Sequence, residues 1–115
     1  MNIFVSTLGK SWPIVPEVFG FLRPDILDLF RHHPRLQRIE ADREELGVRP
    51  DEICEIWLLT TCGTEAAQQK VARWWQLLGE PLPLRIWVAG SVTDLDTPEE
   101  CDQMRELIFR ACLRA

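Results

Sequence analysis

The chain has 115 residues, 46% hydrophobic and 27% charged, which fits one domain with a single buried core and excludes a disordered segment. Thirteen Lys and Arg against eighteen Asp and Glu leave a formal charge of −5, which argues against general affinity for duplex nucleic acid, since phosphate neutralisation needs a basic surface. No apolar run reaches the roughly 18 residues of a membrane span, so no membrane partner is expected.

The first unit opens on Met1-Asn2-Ile3-Phe4-Val5, a short apolar run that turns polar at once. It reads as a strand covered on both faces and not as a signal peptide. Thr7-Leu8-Gly9-Lys10-Ser11 follows as a loop, and Ser11 or Trp12 is placed to cap a helix with Pro13 in its first turn. Val15, Val18, Phe19 and Leu22 recur at helical spacing until Arg23-Pro24 ends the run.

Residues 24–53 interrupt the scheme as an insertion or helical excursion. Asp25 to Phe30 reads as a short helix, broken at His32-His33-Pro34, and Arg35 to Leu46 as a charged, solvated helix ending at Gly47. His32 and His33 have no carboxylates spaced around them and read as solvated or interface residues.

The second unit is a strand at Ile56-Trp57-Leu58-Leu59, a loop at Thr60-Thr61-Cys62-Gly63-Thr64, and a helix from Glu65 to Leu78 stopped by Gly79 and Pro81. Ala67, Val71, Trp74, Trp75 and Leu78 share one face of that helix. The third unit is a strand from Leu84 to Ala89 and a loop from Gly90 to Asp96. A capping box then stands at Thr97-Pro98-Glu99-Glu100. Cys101, Met104, Leu107, Ile108 and Ala111 form the core stripe of the last helix. Strands are therefore expected near 2–6, 55–60 and 84–89, and helices near 13–22, 64–78 and 97–113.

Three buried-type strands alternating with helices predict a single α/β domain, a Rossmann-like three-layer sandwich with a mainly parallel sheet. Ligands of such sheets bind beyond the carboxyl ends of the strands. The candidate ligand-binding residues there are Thr7, Leu8, Gly9, Lys10, Ser11 and Trp12, then Thr60, Thr61, Cys62, Gly63 and Thr64, then Gly90 and Ser91. Their N–H groups and the following helix starts make an anion cradle. Each residue also has an ordinary reading. Any βα turn favours glycine at positions such as Gly9 and Gly63, and Lys10 is either solvated or a phosphate contact. Leu8-Gly9-Lys10-Ser11 is only a fragment of a P-loop, too little for an ATPase. Cys62 has no partner histidine nearby in the sequence. Trp12 either stacks on a base or packs against the second loop, while Trp57, Trp74, Trp75 and Trp87 read as core. Cys54, Cys62, Cys101 and Cys112 form no C-x-x-C pair and no zinc spacing, so no metal is expected and free thiols in a reducing cytoplasm are the simplest account.

Val5-Ser6-Thr7-Leu8-Gly9-Lys10-Ser11-Trp12-Pro13-Ile14-Val15-Pro16-Glu17-Val18 resembles the opening of CARF domains, the CRISPR-associated Rossmann folds. That family has an apolar strand, a loop of the form [ST]-x-G-x-S-[PW] and a helix carrying V-x-E. Ile56-Trp57-Leu58-Leu59-Thr60-Thr61 is similar to its second strand, I-x-L-[IL]-T-T, and Asp96-Thr97-Pro98-Glu99-Glu100 to the start of the next helix. CARF domains continue through further strands with a second glycine-rich, basic motif. The chain accordingly reads as the N-terminal part of a larger domain or as a reduced relative.

The resemblance implies a sensor of cyclic oligoadenylate in type III antiviral defence, a homodimer with the ring across its two-fold axis, and a fused or associated effector domain. Thr7 to Ser11 and Thr60 to Thr64 would then donate backbone and hydroxyl hydrogen bonds to phosphates and ribose. Some members are ring nucleases, which cleave the messenger by aligning a ribose 2′-OH with its phosphodiester. In that alternative Lys10 is the charge-stabilising group. A third reading is a structural or interaction domain without a ligand.

Overall fold

A computed structural model describes residues 2–49, 52–79 and 82–115. Its elements run β1 (Asn2–Thr7), α1 (Ile14–Leu22), α2 (Leu36–Leu46), β2 (Ile53–Thr61), a 3₁₀ turn (Cys62–Thr64), α3 (Glu65–Leu78), β3 (Leu84–Ala89) and α4 (Pro98–Arg114). The strands form one open parallel sheet in the order β1-β2-β3. The α/β class and the parallel pairing expected of the apolar runs are both present.

Alternation along the strands divides the core in two. Ile56 and Leu58 of β2 join Leu8, Val15, Phe19, Ala67, Val71 and Trp75, so α1 and α3 cover one face. Trp57 and Leu59 join Met104 and Ala111, so α4 covers the other. β2 lies between both layers, and its residues from Ile56 to Thr61 are all buried. Phe19 anchors the first layer: it is fully buried and meets Trp74 and Trp75 edge to face at 6.3 and 5.4 Å. Cys101, placed in the core stripe of α4 by spacing, is instead exposed at the start of that helix.

Pro13, rather than a polar side chain at Ser11 or Trp12, stands at the start of α1, and no side chain caps it. At the start of α4 the capping box forms as its residues dictate. The Glu100 N–H donates to Thr97 Oγ1 at 3.2 Å, and Pro98 occupies the first helical position. α2 and α3 end at Gly47 and Gly79, both at φ 70°, the left-handed conformation that favours glycine. Pro81, the other expected stop of α3, lies outside the described residues.

The excursion departs from the sequence reading at Asp25 to Phe30, which forms turns and not a helix. Tertiary contacts decide its path. Phe21 stacks on Phe30 with centroids 3.8 Å apart, and Leu27, Leu29 and Phe30 close over Gly20, where an added Cβ would meet Phe30 at 3.2 Å. Arg23 donates to both carboxylate oxygens of Asp25, at 3.0 and 2.8 Å. That hydrogen bond, working against burial, holds the Asp25 carboxyl below its usual range. A depressed carboxyl stabilises the fold above its unfolded value and loses that contribution as pH falls through the folded one. Asp25 is largely exposed, so the pair contributes little. α2 buries no residue and is a solvated helix, as its charge pattern predicts.

Phe19→Ala removes the aromatic centre of the α1–α3 layer and is expected to cost about 3–5 kcal/mol. Urea unfolding followed by tryptophan fluorescence checks this, with a shifted midpoint at unchanged slope as the outcome.

Candidate functional site

Beyond the carboxyl ends of β1 and β2, on the α4 face, lies a cavity of about 450 Å³. That volume falls within the roughly 300–1,000 Å³ of small-molecule sites. The first loop contributes Thr7, Leu8, Gly9 and Lys10, and the end of β2 contributes Leu59, Thr60, Thr61 and Thr64. The third loop adds Thr93, Asp94 and Leu95, and α4 adds Met104 and Ile108. The floor is thus aliphatic and the rim carries hydroxyls, one cation and one carboxylate.

A relay of hydrogen bonds holds the rim. Gln68 Nε2 donates to Thr64 Oγ1 at 3.3 Å and to the Thr61 carbonyl at 3.2 Å. The Thr64 and Thr60 hydroxyls are in close contact, and Thr60 Oγ1 donates to the Leu8 carbonyl at 2.6 Å. Thr64 Oγ1 also donates to the Thr61 carbonyl at 3.1 Å, so one network links Gln68, Thr64, Thr60, Thr61 and Leu8. Leu8 in turn donates its N–H to Leu59 at 2.9 Å. The first loop is thereby tied to β2 through both the N–H and the carbonyl of Leu8. The Thr60 and Thr64 hydroxyls, expected to face a ligand, are engaged within the protein.

The third loop is tied on the other side. Cys62 N–H donates to the Val92 carbonyl at 2.8 Å and Thr61 Oγ1 to the Thr93 carbonyl at 3.1 Å. Val92 is fully buried and pins the loop. Gly63 is needed for this approach, because a Cβ there would lie 2.1 Å from the Thr93 carbonyl oxygen. The ordinary packing reading of Gly63 therefore has its cause. Gly9 is different: its φ is not positive and a Cβ there meets nothing within 4 Å. Lys10 beside it makes no hydrogen bond or ion pair among the described residues.

Of the thirteen residues expected at the site, Thr7, Leu8, Gly9, Lys10, Thr60, Thr61 and Thr64 come together on the cavity. Ser11 and Trp12 do not line it, and Trp12 packs against the α1–α3 core. Cys62 and Gly63 form the turn beneath the third loop. Gly90 does not line the cavity either, and Ser91 is turned away to donate to Gln103 Oε1 at 2.8 Å. Thr93, Asp94 and Leu95 take the place that sequence reading gave to Gly90 and Ser91. The signal for this was Val92, an apolar residue among Gly, Ser, Thr and Asp, whose burial turns the residues after it toward the site.

His32 and His33 are exposed and lie on the excursion, away from the cavity. Among the described residues no helix is long and apolar enough to cross a membrane. No family model, curated protein or solved structure matches the chain. The cavity's own geometry carries its chemistry.

Gly63→Ala forces the third loop off β2 and is expected to destabilise the fold by about 1–3 kcal/mol, the usual cost of overpacking. Gly9→Ala, with open space and an ordinary backbone, is expected to stay within about 0.5 kcal/mol of the parent. Paired thermal melts check the contrast.

Proposed function

We propose that the chain is a CARF-like domain that senses cyclic oligoadenylate through this cavity and acts on a fused or associated effector. The observation that carries the reading is Gly9. Neither backbone conformation nor protein packing requires glycine there, yet it lines the cavity next to the one cation of the rim. Close approach of a ligand to the backbone is one reason for a residue without a Cβ there, beside the general glycine preference of strand-to-helix turns. A phosphate placed there receives N–H groups of the loop and the charge of Lys10.

The order of the strand, loop and helix motifs supports the family, and the aliphatic floor suits a nucleobase. Four unpaired cysteines suit the reducing cytoplasm. The cavity has room for a single nucleotide, so a ring engages more than one copy. Among the described residues β1 and β3 each keep an unpaired edge, which favours association. A two-fold dimer with the strand-end loops near its axis presents two such cavities to one ring.

A thermal-shift screen with cyclic tetra-adenylate and cyclic hexa-adenylate tests the reading, since a ligand of the folded state raises its stability. One of the two is expected to raise the melting temperature, and chromatography of the recovered ligand separates a sensor from a ring nuclease. Gly9→Val is expected to melt like the parent and to lose ligand binding. Lys10→Ala is expected to weaken binding by about 1–3 kcal/mol and to flatten its salt dependence. Unchanged affinity in both variants removes the first loop from the site. Sedimentation at high concentration is expected to give a dimer, and a monomer there sinks the two-copy arrangement.

A further inference from the structure

Asp94 stands out on the cavity rim because a carboxylate is the wrong group for a phosphate. Its Oδ1 accepts the Leu95 N–H at 2.8 Å, which sets the carboxylate in place. Its own N–H meets Glu100 Oε2 at 3.4 Å, so the capping box of α4 holds the residue from behind. The second carboxylate oxygen has no partner among the described residues. An ionised carboxylate only accepts hydrogen bonds, so it seeks an O–H or N–H on whatever enters.

The residue beside it sorts the rest of the ligand. Leu95 is 50% exposed, an aliphatic side chain held at the cavity mouth near Met104 and Ile108. A flat, apolar ring is what covers such a surface from water. The phosphate is drawn to Lys10 on the opposite loop and repelled by Asp94. A nucleotide bound with its phosphate at Gly9 and Lys10 would place its sugar beside Asp94 and its base against Leu95.

We infer that Asp94 reads the ribose 2′-OH and makes the cavity selective for ribonucleotides over deoxyribonucleotides. This rests on the nucleotide-binding reading above. The 2′-hydroxyl is the group that separates the two sugars, and acceptance of a ribose hydroxyl by a carboxylate is also how dinucleotide sites hold their ligands. The selectivity comes from a hydrogen bond to an ionised acceptor, which deoxyribose cannot make.

Calorimetric titration of the full chain with cyclic tetra-adenylate and its all-2′-deoxy analogue tests the inference, with 5′-AMP and 2′-deoxy-5′-AMP run in parallel. The parent is expected to prefer each ribose form by about 10-fold or more, the worth of one such bond. Asp94→Ala is expected to abolish that preference, with the ribose form losing relative to the deoxy form, and Asp94→Asn to retain part of it. Equal binding of both sugars by the parent overturns the inference, as does an Asp94→Ala variant that loses both equally. A ribose preference seen with the mononucleotides but no binding of either ring overturns the cyclic-messenger reading and sustains the role of Asp94. Binding of none of the four ligands overturns both.

Discussion

The site depends on one hydroxyl network, in which Gln68 donates to Thr64, the Thr64 and Thr60 hydroxyls meet, and Thr60 donates to the carbonyl of Leu8. Thr60 is 1% exposed, so its hydroxyl would carry a desolvation cost of about 1–3 kcal/mol if unpaired. The relay removes that cost and uses it to position a loop. Leu8 is buried and bonded to β2 through both its N–H and its carbonyl, whereas Gly9 and Lys10 immediately after it are exposed. The chain is thus anchored at Leu8, within the cavity wall, and exposed from Gly9 on. A binding loop needs that combination, because a backbone that must order itself on binding gives up affinity to do so.

Much of the fold was legible in the sequence because burial is extreme where the pattern is simplest. Ile56-Trp57-Leu58-Leu59 is a short run of consecutive apolar residues, the pattern of a strand covered on both faces, and β2 is that strand. The stop signals of α2 and the capping box of α4 act within a few residues, so local chemistry decides them. Asp25 to Phe30 failed for the opposite reason. Its apolar residues at 26, 27, 29 and 30 imitate a helical stripe, but Leu29 and Phe30 pack on Gly20 and Phe21 of α1, and Ile26 and Leu27 on the α1–α3 core. Packing across the fold overrides a short helix, whose nucleation is costly in any case.

The site was legible at the first loop and less so at the other two. Sequence reading treats every Gly, Ser and Thr of a strand-end loop as a donor facing the ligand. Inside the protein, the same groups also satisfy one another. Thr60 and Thr64 are consumed by the relay, Ser91 by Gln103, and Gly63 by the approach of Thr93. Which hydroxyls remain available is set in part by partners far along the chain, such as Leu8 for Thr60 and Thr93 for Thr61. Asp94 carries no such signal in the sequence, because it stands in an acidic run with Asp96, Glu99 and Glu100 that resembles a solvated helix start.

The side of the sheet on which each helix lies explains why the cavity forms where it does. α1 and α3 pack on one face, so their connections leave the strand ends on that side. α4 packs on the other, and the chain between β3 and α4 must cross over the end of β2 to reach it. Val92 is buried in that crossing, and Thr93 to Leu95 overhang the strand ends as one wall of the cavity. The opposite wall, Leu8 to Lys10, leads into α1. A ligand between the walls therefore touches elements rooted in both core layers, which otherwise meet through the sheet. Binding energy spent in that gap is spent on holding α4 and the α1 layer in one relative position.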